Sequence, residues 1–240
     1  MLLKKILSLI FPAHCLYCHE IINKDGLFCQ KCWPKLQFIT KPHCPICAFP
    51  FEVDIPNMQP LCAKCVAKKP SFDRTLTIYR YNYVIKKIIA DLKYLDQSFV
   101  AKKIAQTLLP ILKNEITEDD ILVAMPLHPN KLKQRKFNQS VKICQELIKK
   151  LPKKPIFHHD LIFRNKDTKP QVELRGQERA SNMKKAFMLN KKYQNLVENR
   201  RIFLLDDVIT TGATVENCSK ALKRKKPKEI IIATLARTAF

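Results

Sequence analysis

No stretch of this 240-residue sequence stays apolar over the roughly 20 residues that a membrane-spanning helix needs, so no transmembrane segment is expected. Acidic side chains are scarce: 21 Asp and Glu stand against 44 Lys and Arg, a formal charge of +23. An excess of that size speaks to partners and not to fold, and it favours polyanions: nucleic acid, nucleotides or an acidic membrane surface. Lys is spread over the whole chain, so a generally Lys-rich composition is the plain alternative. Long-period repeats and low-complexity tracts are missing. Glycine nearly is, with Gly26, Gly176 and Gly212 the only three. A glycine kept in so poor a background marks backbone that must approach a ligand or turn sharply. The opening MLLKKILSLIFP lacks the marks of a signal peptide: Lys4 and Lys5 interrupt it, its apolar stretch is only Ile6–Phe11, and no small-residue cleavage site follows. It reads as an amphipathic start that packs on the protein, with a weak membrane contact as the alternative.

What is present is a globular composition, 46% apolar, long enough for one ordinary domain plus a small module. The chain divides near Pro70. Residues 1–70 hold the N-terminal segment and a Cys- and Pro-rich module with little helical periodicity. Residues 71–240 alternate short apolar, partly β-branched runs with longer amphipathic stretches. Strands are expected at Thr75–Tyr81, Ile121–Met125, Arg201–Leu205 and Glu229–Leu235, and a weaker one at Leu161–Arg164. Helices are expected over Val84–Leu92, where Ile85, Ile88, Ile89 and Leu92 fall at i, i+3, i+4 and i+7, and over Val100–Leu112, Ser140–Leu151 and Ala213–Lys225. Strands alternating with helices imply an α/β fold, a mostly parallel sheet covered on both faces.

Eight of the ten cysteines form four C-x-x-C pairs: Cys15/Cys18, Cys29/Cys32, Cys44/Cys47 and Cys62/Cys65. Without a secretory signal a disulfide framework is disfavoured. Two thiolates three residues apart chelate one tetrahedral ion from a tight knuckle, so four pairs make two closed, structural zinc sites whose binding energy helps fold a module short of apolar core. The simplest pairing is sequential; a crossed one stays open. Cys144 and Cys218 lie on helical patterns and read as small buried apolar residues.

Residues 202–214, IFLLDDVITTGAT, carry the strongest local signal. An apolar strand end is followed by Asp206 and Asp207, placed where parallel sheets bind ligands and able to accept from two neighbouring hydroxyls, as on a ribose. Thr210, Thr211, Gly212, Ala213 and Thr214 then open a helix whose unpaired N–H groups suit a phosphate. A second anion site is expected after the strand at Ile121–Met125. There Pro126 and Pro129 hold an extended loop, Lys131, Lys133, Arg135 and Lys136 cluster, and a helix starts near Phe137. The Arg135 guanidinium suits phosphate oxygens because it can grip them bidentately. No residue announces itself as a general base for an acceptor.

The 202–214 string closely resembles the phosphoribosyl pyrophosphate (PRPP) motif of type I phosphoribosyltransferases. The whole chain resembles the ComF/ComFC family, carried by FPAHCLYC, the four cysteine pairs, PLHPNKLKQRKFNQ, the run at 164–174, RASNMKKAF at 179–187 and the PRPP motif. It departs at Lys136, where the family usually has glycine. The resemblance implies a type I phosphoribosyltransferase-like fold with a small N-terminal double zinc ribbon. It implies that Asp206 and Asp207 hold the ribose hydroxyls and that Thr210, Thr211, Gly212, Ala213 and Thr214 cradle the 5-phosphate. His128, Lys133 and Arg135 would meet the pyrophosphate, with Mg²⁺ accompanying PRPP. Arg164, Thr168, Gln171 and Arg179 would belong to a mobile segment that closes over the site. It further implies a cytoplasmic protein, near the inner face of the membrane, that handles incoming single-stranded DNA in natural transformation beside a helicase-like competence protein. Turnover of PRPP with an unidentified base or amine is the alternative. The basic surface and the aromatics Phe72, Tyr79, Tyr81, Tyr83 and Tyr94 are candidates for DNA, as is the 220–228 stretch.

Overall fold

The structure is a computed structural model that describes residues 12–22, 26–54, 58–95, 97–164 and 186–239. In chain order its elements are β1 (Ala13–His14), β2 (Ile21–Ile22), α1 (Ala63–Ala67), β3 (Arg74–Arg80), α2 (Tyr83–Tyr94), α3 (Gln97–Leu112), β4 (Ile121–Ala124), α4 (Pro129–Arg135), α5 (Gln139–Lys150), β5 (Ile156–Phe157), β6 (Ile162–Arg164), β7 (Phe187–Leu189), β8 (Arg201–Ile209), α6 (Ala213–Lys223) and β9 (Glu229–Arg237). Five strands form one parallel sheet in the order β3-β9-β8-β4-β5.

Alternation along β8 explains why its apolar run is unbroken. Phe203 and Leu205 face a core built with α2, α3 and α5 through Ile88, Ile104, Leu108 and Leu147. Ile202 and Leu204 face a second core with Val215 and Leu222 of α6 and with Phe187. A strand buried on both faces needs apolar residues at every position. Each side chain on these cores contributes on the order of 1.5–3 kcal/mol by leaving water. Asparagine caps set two of the helix starts: Asn82 accepts from Val84 and Ile85, and Asn138 accepts from Ser140 and Val141. The Asn138 amide also donates to the Met125 carbonyl at 3.0 Å, which fixes the start of α5 beside the end of β4.

The structure departs from the sequence expectations at several places. The weak strand at 161–164 is real at Ile162–Arg164, but it pairs antiparallel with Phe187–Leu189 and lies outside the main sheet. The edge strand β5 pairs through only Ile156 and Phe157, too short to leave a periodic signal. Pro126 lies in the short loop 125–128, which ends extended at His128, but the extended stretch does not reach past Pro129. Pro129 opens the short helix α4, as its fixed φ and missing N–H allow, and His128 Nδ1 caps it by accepting from the Asn130 N–H at 3.2 Å. The next helix starts at Gln139, not near Phe137.

Lys136 ends α4 in the left-handed region, φ 63° and ψ −1°. That conformation favours glycine, so the lysine carries steric strain. Lys136→Gly is expected to stabilise the fold by roughly 0.5–1 kcal/mol, net of the added freedom of the unfolded chain. Urea denaturation at equilibrium checks this; a destabilised variant would refute it.

Candidate functional site

From β4 the chain moves to one sheet edge, through β5, whereas β8 lies on the other side of β4. The carboxyl ends of β4 and β8 therefore flank a topological switch point, where open α/β sheets form their ligand crevice. β4 ends at Ala124, opposite Leu205, while β8 continues along β9 to Ile209. Asp206 and Asp207 thus sit inside β8 and not after it, because β9 goes on supplying hydrogen bonds where β4 has stopped. Both carboxylates are buried and emerge beyond the end of β4.

Asp207 is densely held. Lys93 Nζ lies 2.9 Å from its Oδ2, Gln139 Nε2 donates to the same oxygen at 3.4 Å, and the Val208 N–H donates to Oδ1 at 2.8 Å. Asp206 Oδ1 accepts from the Asp207 N–H at 2.9 Å. Burial, and next the neighbouring Asp207 carboxylate, push the Asp206 carboxyl well above its usual range, against the pull of the Asp207 N–H and Lys93. A carboxyl whose pKa is raised on folding binds more protons folded than unfolded. Its contribution is most favourable below the unfolded value, near pH 4, and declines as pH rises toward the raised folded value. Asp206→Asn is therefore expected to be more stable than the parent at pH 8, with the difference closing toward pH 4. Denaturation at the two pH values checks it, and a pH-independent difference would refute it.

After β8, Thr210, Thr211, Ala213 and Thr214 are exposed and Gly212 is half-buried. Gly212 adopts φ 79° and is the N-cap of α6; it brings no side-chain cap of its own, and the Thr211 hydroxyl accepts from the Ala213 N–H at 3.4 Å. A Cβ there would meet nothing nearer than Ile209 Cγ2 at 3.9 Å, so the glycine is required by its dihedral and not by crowding. A hydroxyl held at that distance is readily displaced, so the first turn can still turn its donors to an anion.

Across the crevice stands α4. Arg135 Nη1 donates to Gln139 Oε1 at 3.4 Å, its guanidinium lies over the Tyr94 ring at 5.6 Å, and its Nε is buried without a partner among the described residues. Arg135, Gln139, Asp207 and Lys93 thereby form one polar chain that joins the basic loop to the aspartate pair. Lys93 and Gln139 were not singled out from the sequence. Lys93 follows an apolar stripe that ends at Leu92, where a helix-end lysine is unremarkable, and only tertiary packing brings it to Asp207. Lys133 is exposed on α4. Burial, then Arg164 and Lys131, lower the His128 pKa, which favours the neutral ring that caps α4. Arg164 ends β6, with its guanidinium 5.6 Å from the Phe187 ring centre, and lines a groove of about 800 Å³ with Pro126, Phe137, His159 and Phe163. Thr168, Gln171 and Arg179 lie outside the described residues.

The eight paired cysteines form two clusters in sequential order, Cys15, Cys18, Cys29 and Cys32, then Cys44, Cys47, Cys62 and Cys65. Within each, all sulfurs lie within 4.8 Å of one another. Cys18–Cys29 and Cys47–Cys62 approach to 3.6 and 3.5 Å, too far for a disulfide and near the roughly 3.8 Å edge of a tetrahedron with Zn–S of about 2.3 Å. Burial pushes the Cys15 and Cys44 thiols up, but backbone N–H groups from both knuckles of each cluster, those of Cys18 and Cys29 and of Cys47 and Cys62 foremost, outweigh it and bring both down to about 7. The donor sets fit two structural zinc ions. Cys144 and Cys218 are fully buried elsewhere. Of the candidate stacking aromatics, Phe72 and Tyr79 are buried and unavailable, whereas Tyr83 and Tyr94 are exposed and Tyr81 is half-buried.

A model of the double zinc ribbon domain matches residues 6–66, and a model of the phosphoribosyl transferase domain matches residues 138–239. The chain is 26% identical to competence protein F of Haemophilus influenzae over 234 residues, 95% of this chain and 98% of that one. It is 29% identical to the DNA utilization protein YhgH of Escherichia coli K12 over 203 residues, 82% and 85% of the two chains. It is 24% identical to competence protein ComFC of Bacillus subtilis over 226 residues, 91% and 87% of the two chains. A solved hypoxanthine-guanine phosphoribosyltransferase from Bacillus anthracis is 14% identical, with a TM-score of 0.38 over 57% of this chain and 68% of that one. The protein is thus a phosphoribosyltransferase-like α/β domain with an N-terminal double zinc ribbon. The chain belongs to the ComF/ComFC family. Among the described residues no helix is long and apolar enough to cross a membrane.

Proposed function

We propose that this protein binds PRPP in the crevice between β4 and β8 and handles incoming single-stranded DNA in the cytoplasm during natural transformation, near the inner face of the membrane and beside a helicase-like partner. One observation carries the PRPP half: the aspartate pair and the first turn of α6 share a crevice with Arg135, whose buried Nε has no partner among the described residues. In this reading Asp206 and Asp207 take the ribose hydroxyls, the loop Thr210–Thr214 takes the 5-phosphate, and His128, Lys133 and Arg135 meet the pyrophosphate with Mg²⁺. Arg164, at the end of β6, lines the adjoining groove. Residues 1–70 and 71–240 are the two domains.

The DNA half draws on the names of the relatives, on the +23 charge and on one surface. Trp33 and Phe38, 55% and 40% exposed, pack with their rings tilted and the ring centres 5.5 Å apart. Beside them Tyr17 packs edge-on against exposed Tyr83, and Lys35 and Lys87 lie within 6 Å of its ring. Bases stack on such rings while cations track the backbone, without sequence preference. Calorimetry with PRPP and Mg²⁺ tests the first half: binding is expected, and its absence would remove that half. For the second, log K for oligothymidylate should fall against log salt by roughly 0.7 per neutralised phosphate, and no binding at low salt would exclude it.

A second reading, turnover of PRPP with a base or amine acceptor, is favoured by the groove of about 800 Å³ beside the crevice, whose Phe137, Phe163 and Arg164 could sandwich a planar ring. Pyrophosphate release with any candidate acceptor would decide for it.

A further inference from the structure

The second ribbon is joined to the phosphate loop. α1 starts directly after Cys62 and carries Cys65, and Lys64 on that turn donates to the Thr211 carbonyl. Below the same seam Ser71 clamps the first turn of α6: its N–H and its hydroxyl reach the Glu216 carboxylate at 2.8 and 3.0 Å. Two cavities, of about 250 and 290 Å³, open along this junction, and Lys64, Thr211 and Arg237 line both.

Three observations make the seam an anion site. Arg237 is 7% exposed, and its Nε has no hydrogen-bond partner among the described residues. Its guanidinium lies 5.7 Å from the ring centre of Phe49, on the ribbon side. A guanidinium has only donors, so an Nε–H without an acceptor marks a guanidinium in the cavity wall whose hydrogen-bonding capacity is not used up. Glu216, the carboxylate in the wall, is already engaged by Ser71 and by Lys220 at 3.2 Å. Lys64 rests on a neutral carbonyl and makes no ion pair among the described residues. A four-thiolate zinc centre is formally doubly negative; Lys64, Lys68 and Arg237 together balance it and the Glu216 carboxylate, so the seam carries no net negative charge to repel an anion.

We propose that the second zinc ribbon is a wall of the phosphate site, in which Lys64, with Arg237 beside it, binds the phosphate of a sugar phosphate seated on the Thr210–Thr214 loop. This rests on the reading of that loop given above. A phosphate dianion is a far stronger acceptor than the Thr211 carbonyl, so the Lys64 ammonium transfers to it when the ligand arrives. The ribbon then does more than stabilise the fold. Zinc orders the turn that presents Lys64, so zinc binding and phosphate binding strengthen each other reciprocally.

The test is calorimetry on the full, zinc-loaded chain with ribose 5-phosphate and, separately, inorganic pyrophosphate. Lys64→Ala is expected to weaken ribose 5-phosphate roughly tenfold or more, the usual cost of one charged hydrogen bond, while pyrophosphate affinity and zinc content stay at parent values. Lys64→Arg, which keeps the charge, should retain most of the affinity. If Lys64→Ala binds ribose 5-phosphate as tightly as the parent, or loses both ligands alike, the proposal is overturned and the loop reading survives. If the parent itself binds no ribose 5-phosphate, both fall together.

Discussion

Cys65→Ser is expected to bind one zinc ion per chain where the parent binds two, and to lose the fold of the second ribbon. Cys65 is buried on α1, and with Cys44, Cys47 and Cys62 it belongs to the same core cluster as Phe72, Ile209 and Ile230 of the α/β domain. A three-thiolate remnant cannot close a tetrahedral site, and structural zinc in such modules contributes on the order of 10 kcal/mol to folding. The ribbon has little else to hold it, since Ile46, Phe49 and Phe51 are only partly buried. Metal analysis and a urea transition read the outcome. Cys144→Ser is the comparison: its thiol is just as buried but lies outside both clusters, so that variant should keep two ions. Two ions retained in Cys65→Ser would contradict the ligand assignment. The sites should also differ in rate. Cys18 is exposed and Cys29 half-buried in the first cluster, whereas all four thiols of the second are buried. A chelator should therefore strip the first site first, and simultaneous loss would show that the two ribbons unfold as one unit.

The parallel sheet, its two covered faces and the cysteine clusters were legible in the sequence because each leaves a local trace. Ile202–Leu205 is apolar at every position, and C-x-x-C spacing is a chelate bite. The aspartate pair was legible in kind but not in place. Its strand reaches Ile209 because β9 extends alongside, and no residue within 202–209 announces how far a neighbour runs. α4 was hidden for a different reason. Seven residues with no buried side chain carry no amphipathic stripe, and its start depends on Pro129 following a His128 that happens to cap it. Lys136 was noticed as a departure from family habit, and its positive φ supplies the physical content. Contacts between distant segments, Lys93 with Asp207 and Lys64 with Thr211, span 114 and 147 residues of chain, and no spacing rule reaches that far.

The Lys93–Asp207 pair should show the largest effect of any exchange in the crevice. Asp207 keeps only 9% of its side-chain surface in water, while Lys93 keeps 23%, and their charged atoms are 2.9 Å apart. The two single variants are therefore unequal. Lys93→Met leaves a buried carboxylate facing Asp206 with no counter-charge, a loss that typically costs about 3–5 kcal/mol. Asp207→Asn leaves an ammonium on a four-carbon stem that can turn to water, so it should cost less. The double variant removes both charges and should recover much of the Lys93→Met loss, giving a coupling of about 2 kcal/mol or more in a double-mutant cycle. Gln139 can still donate to the amide oxygen at position 207, so the second hydrogen bond survives the exchange. An additive cycle would show that the two side chains do not interact in solution. Ligand binding separates this structural role from the functional one. In the PRPP reading Lys93→Met also takes a cation from a crevice meant for a polyanion, and PRPP affinity should drop roughly tenfold or more. Asp207→Asn with Lys93→Met should regain stability without regaining PRPP, since an amide is a poorer acceptor for ribose hydroxyls than a carboxylate. Recovery of both together would mean that the carboxylate serves the fold and the sugar is held elsewhere.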